Sequence, residues 1–110
     1  MTKSLPPAPE PYESFVSRYP KLGQAWELIS EAGRQGPLDA KTTRLVRLAV
    51  AIGAMRQGAV IANARKALAS GISAEEVEQV VALAAATIGM PGTVAVHTWV
   101  REATTEDAKR

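Results

Sequence analysis

Few residues in this chain can do chemistry. There is no cysteine and a single histidine among 110 residues. Without cysteine the chain supplies no disulfide, no thiolate metal ligand and no thiol nucleophile. His97 alone does not make a histidine metal site unless several chains meet, so no metal and no cofactor are expected. His97 falls on the stripe Thr93, Val96, His97 and Val100. A lone histidine on such a stripe reads first as a satisfied core or interface residue. Its alternative role is as the one imidazole base on offer. Asn63 shares a helical face with Ala59 and Ala67, and Arg56 lies one turn before Ala59. An amide within a face of small residues either closes a local hydrogen bond or lines a pocket. Arg44 and Arg47 are three residues apart on one helix face. They form a solvated edge, or they hold a carboxylate, for which planar guanidinium is well shaped.

Other constellations exclude more than they suggest. There is no glycine-rich phosphate loop and no Ser-His-Asp pattern. Ala67, Gly71, Ser73 and Val77 have the spacing of a helix-turn-helix. The would-be recognition helix, however, opens with Glu75, Glu76 and Glu78, which would face phosphates that need cations. The formal net charge is only +2, with a pI of about 9.2. No nucleic-acid partner is expected. The start is proline-rich and does not read as a secretory signal. The longest apolar run, Val77 to Met90, is broken by Gln79 and falls short of the ~18 to 20 residues a membrane crossing needs. No membrane partner is expected, and the location implied is cytoplasmic.

The elements that must position these residues are helices. Apolar residues make up 46% but aromatics only 5%, so the core must be built from Ala, Val, Leu and Ile. Residues 1 to 11 hold Pro6, Pro7, Pro9 and Pro11 and read as an extended arm. A single helical domain is expected over 12–110. A short helix spans Tyr12 to Tyr19, and Pro20 starts a second whose face is Leu22, Ala25, Trp26 and Ile29. Asp39 is a suitable N-cap for a third helix with a stripe of Leu45, Leu48, Ala49 and Ile52. Gly53 and Gly58 bracket a break around Met55 and Arg56. A fourth helix runs to about Ser70 with Gly71 as its cap. Ser73 and Glu76 form a capping box for a fifth. Gly89, Pro91 and Gly92 predict a turn, then a sixth helix bearing Val96, Trp99, Val100 and Ala103, with the tail after Thr104 frayed. The fold class is therefore all-α, a compact bundle of about six helices.

Three runs carry a family resemblance: Leu38 to Ala49, Asn63 to Val77, and Ala84 to Gly92. In this order and spacing the glycine turn, the acidic helix start and the Gly-x-Pro turn resemble the carboxymuconolactone decarboxylase and alkyl hydroperoxidase D-like family. The resemblance covers about 38 to 103. It implies an all-helical fold that assembles as homotrimers or homohexamers, with the helix-turn-helix look being scaffold. The peroxidase branch uses a glutamate, a C-x-x-C pair and a histidine four residues past the second cysteine. Alignment on the segment from Ala67 to Gly71 puts Asn63 at the histidine, Ala59 and Arg56 at the cysteines and Arg44 at the glutamate. The decarboxylase branch keeps a histidine where this chain has Asn63. Asparagine donates and accepts hydrogen bonds but does not titrate near neutrality.

Two functions remain open. In one, the chain is a non-thiol enzyme or binder of a small anionic carbonyl or lactone compound. Arg44 and Arg56 bind the anion, Asn63 orients the carbonyl, and His97, from this or an adjacent subunit, is the base of lyase- or isomerase-like chemistry. In the other, the chain is a non-catalytic homo-oligomeric scaffold or binding protein. Alanine-rich faces with Ala82, Ala85 and Ala86 allow close helix packing between subunits.

Overall fold

The structure, a computed structural model, describes the backbone of residues 10–109 and the surroundings of side chains 11–105. Five helices follow one another: α1 (Glu10–Arg18), α2 (Pro20–Gly33), α3 (Ala40–Gly53), α4 (Gln57–Ala69) and α5 (Ala74–Lys109). Every regular element among the described residues is helical, as the composition required. They form two units, a helical pair within residues 7–40 and a larger unit from residue 41 onward. Most of the proline-rich arm lies outside the described residues. Positions 10 and 11 form the start of α1, where proline's missing N–H and fixed φ are tolerated.

In the first unit, Pro20 opens α2 at its first turn. The α1 and α2 backbones come close at Gly23, where a Cβ would lie 3.1 Å from the Val16 Cβ. Phe15 and Tyr19 stack at a ring separation of 5.2 Å. The expected apolar face of α2 exists but α2 has no buried residue. Leu22, Trp26 and Ile29 are all exposed, Trp26 by 53%.

The second unit holds the core. Leu48 and Ile52 of α3, Val60 of α4 and Val77, Val96 and Val100 of α5 are fully buried. Ala64, Ala67 and Ala103 fill the space between them. Fully burying a Val, Leu or Ile contributes about 1.5–3 kcal/mol each. The connections are built from local hydrogen bonds. Gly71 (φ +98) closes α4 in a Schellman turn. Its N–H donates to Leu68 O (3.1 Å), and Ile72 N–H donates to Ala67 O (3.1 Å). The Ser73–Glu76 capping box is reciprocal: Glu76 N–H donates to Ser73 Oγ (3.1 Å), and Ser73 N–H donates to Glu76 Oε1 (3.0 Å). Lys41 of α3 pairs with the other Glu76 oxygen and ties the start of α5 to α3.

Two details differ from expectation. There are five helices, not six, because α5 continues through the anticipated turn. Only Gly89 leaves helical geometry there (φ 80, ψ 166), and Pro91 then sits where a helix restarts. Thr93 Oγ1 donates to Gly89 O (2.7 Å) across this kink. The helix also extends past Thr104 to Lys109. The break between α3 and α4 falls around Met55 and Arg56 as expected, and Met55 is its left-handed residue (φ 55). Met55 N–H donates to Ile52 O (2.9 Å) and Arg56 N–H to Ala51 O (3.3 Å), so this turn repeats the Gly71 pattern without a glycine. Joined as one helix, Ala74–Thr105 is also long and apolar enough to cross a membrane, with a mean hydropathy of 1.6 in its best window. Its Val77, Val81, Val96 and Val100 are buried in the core, while 17% of that apolar window is buried in all.

Leu48→Ala is expected to cost about 2–5 kcal/mol in urea unfolding, from the transfer loss and the cavity left behind. The Glu76 carboxyl is lowered to about 2, first by its hydrogen bond from Lys41 and then by those from Ser73. A carboxyl depressed in the folded state stabilises fully above its ordinary value of 4.5, and that contribution is lost as pH falls toward about 2. Urea midpoints of wild type and Glu76→Gln should therefore differ near neutrality and converge at acid pH.

Candidate functional site

The positions that the resemblance assigned to catalysis lie on α3, α4 and the turn between them. Arg56 is the N-cap residue of α4, extended (φ −98, ψ 98) and exposed. It follows the strained Met55 directly. Ala59 is exposed one turn on. Asn63 is half-buried, and its Nδ2 donates to the Ala59 carbonyl oxygen at 2.8 Å. The amide nitrogen is thus spent on its own helix, the local-bond reading of this residue. Arg44 is half-buried on α3.

The second turn of α3 and the last turn of α4 bring cations together. Arg44 and Arg47 lie one turn apart on α3, both half-buried. They act on Lys66, three residues beyond Asn63 on α4. The Lys66 amine is held below its ordinary 10.5, first by burial, then by the charges of Arg44 and Arg47. Three like charges gathered at the protein surface raise the local potential. Lys66 escaped notice in the sequence because nothing there shows that it faces α3; the Arg44–Arg47 spacing was the only visible signal.

Two grooves lie on the second unit. One, of about 510 Å³, runs between α3 and the first half of α5. Leu45, Val46 and Ala49 form one wall, and Val80, Leu83 and Ala84 form the other. Thr42, Glu76, Gln79 and Thr87 give it a polar margin. The other, of about 490 Å³, lies where the two halves of α5 meet and is bordered by His97, Glu78 and Thr93. His97 is exposed. Neither of these grooves is lined by Arg44, Arg56 or Asn63. No cluster of three or more His, Asp or Glu residues suited to a metal occurs among the described residues.

The sequence profile of the carboxymuconolactone decarboxylase family matches residues 20–102, which takes in α2, α3, α4 and the start and kink of α5. The chain belongs to the carboxymuconolactone decarboxylase family. Comparison with curated proteins and with solved structures gave no match. Within the carboxymuconolactone decarboxylase family this chain is a member without cysteine. The chain itself supplies no thiolate.

A lysine whose amine is lowered in the fold carries its penalty while protonated. That penalty is full below the folded value and is relieved as pH rises toward 10.5. Lys66→Met should raise the melting temperature near neutrality, and the gain should shrink in alkaline buffer, as read by thermal unfolding across pH.

Proposed function

We propose that this chain is a non-catalytic, homo-oligomeric assembly or binding protein that keeps the family fold without the thiol site. The observation that carries this reading is the apolar groove between α3 and α5. Leu83 on its wall is 69% exposed, and Val50, on α3 beside it, is 66% exposed. Contiguous apolar surface with a polar margin is the usual mark of a protein–protein contact. A second copy is its occupant, and a homotrimer or homohexamer is the expected assembly. The exposed Leu22, Trp26 and Ile29 of α2 provide further apolar surface for the same purpose. A cytoplasmic location goes with this reading.

The catalytic reading draws less support. It needs Asn63, Arg44, Arg56 and His97 around one small anionic carbonyl or lactone compound. The Asn63 amide nitrogen is bonded to Ala59, Arg56 is exposed at a helix start, and His97 borders another groove. What favours an anionic ligand is the half-buried Arg44 beside Arg47 and Lys66.

Sedimentation velocity at micromolar concentration tests the assembly. The wild-type chain should sediment as a trimer or larger. Leu83→Asp places a charge in the middle of the groove, so it should shift the population to monomer while helical content is kept. A wild-type monomer sinks the assembly reading.

A further inference from the structure

The α1–α2 pair leaves its large apolar side chains in water. Phe15 and Tyr19 of α1 and Leu22, Trp26 and Ile29 of α2 are each about half exposed or more, and none of residues 11–40 is buried. We propose that this face pairs with the same face of a second copy, two helical hairpins closing into a four-helix arrangement. The contact is separate from the groove between α3 and α5. It rests on the assembly reading only in that chains gathered by the groove present several hairpins together.

A unit below about 40 residues usually needs a disulfide, a metal or oligomerisation to hold its fold. The chain has no cysteine, and no His, Asp and Glu cluster suited to a metal occurs among the described residues. Oligomerisation is the remaining device. Within the pair, an added Cβ at Gly23 would lie 3.1 Å from the Val16 Cβ, so α1 already covers that side of α2. At 3.6 residues per turn, Leu22, Ala25, Trp26 and Ile29 share another side of α2, while Glu27 and Glu31 fall opposite them. Two copies of this face therefore meet with no carboxylate between them. Amphipathic hairpins bury such stripes by turning them to a common core, as in a four-helix bundle.

Area sets the strength of the contact. An aromatic side chain buries about 150–250 Å² when covered, so the half-exposed Phe15, Tyr19 and Trp26 hold roughly 300 Å² still uncovered. Leu22 and Ile29, each more than half exposed, add to it. A standard interface takes about 800 Å² from each partner. One hairpin pair is therefore a weak contact by itself. Chains already joined through the α3–α5 groove bring several hairpins to the encounter at once, and linked contacts gain avidity without new area. Without the groove contact that avidity is gone, and single hairpins separate at micromolar concentration. Pairing of identical faces uses a two-fold axis and closes on itself. It doubles the number of chains the groove gathers, so three become six.

Sedimentation equilibrium of the full chain at micromolar concentration reads the pairing. Trp26→Asp and Ile29→Asp set like charges across the two-fold contact, and each should halve the assembled mass. Because α2 buries nothing, both should keep the wild-type far-ultraviolet circular dichroism. The absence of cysteine lets single-cysteine variants be read without background. Under mild oxidation, at least one of Leu22→Cys, Ala25→Cys and Ile29→Cys should form a disulfide-linked dimer on a non-reducing gel. Glu31→Cys, exposed on the opposite side, should stay reduced. A wild-type assembly whose mass is unchanged by Trp26→Asp and Ile29→Asp overturns the pairing and leaves the groove reading standing. A wild-type dimer lost in Ile29→Asp but kept in Leu83→Asp supports the pairing and removes the groove. A wild-type monomer removes both. Equal cross-linking through Glu31→Cys, or none through any of the three face variants, also overturns the pairing.

Discussion

The tight packing of small side chains along α4 is the constraint on which the larger unit depends. Val60, Ala64 and Ala67 are fully buried at intervals of three and four residues. With side chains this short, interior packing density is reached only if helix backbones approach closely. That closeness sets what the flanking positions of α4 experience. Asn63 and Lys66 border the buried stripe and are drawn half out of water. The lowered Lys66 amine follows from packing first and from the arginines second.

The same economy leaves apolar surface uncovered. Few aromatics means few large side chains, and neither tryptophan is fully buried: Trp26 is exposed, and Trp99 is half-buried against the core. The core cluster draws on α3, α4 and α5, while α2 buries nothing. A small helical domain with this much apolar surface left over gains by burying it between chains. The groove between α3 and α5 is where that surface is concave and framed by polar residues.

Loss of the thiol site reads differently once the surroundings are known. Ala59, at a cysteine position by resemblance, offers its backbone carbonyl to Asn63, at the histidine position. The pair that would have exchanged a proton instead closes a helix-internal hydrogen bond. Arg44, at the glutamate position, has become part of a positive cluster. By that resemblance the positions of acid and base chemistry carry an amide and a guanidinium, and Met55 just before Arg56 is in left-handed geometry.

Local signals settled much of this from the sequence. The Ser73–Glu76 box, the Gly71 cap, the Pro20 start and the break at Met55 and Arg56 all depend on residues within a few positions of one another, so short-range rules sufficed. The family was legible too, because its motifs are runs of adjacent residues. Element count differed by one at Gly89, where a single non-helical residue puts a kink between two helices that otherwise run on into each other. What the tertiary structure alone decided was which side chains meet. Arg47 and Lys66 are nineteen positions apart in the sequence, and only the fold lets the charge of one bear on the other. Asn63 bonds to the helix that carries it, whereas His97 borders a groove formed on α5. Side-chain chemistry is written in sequence, but its convergence is set by long-range burial, which no local spacing encodes.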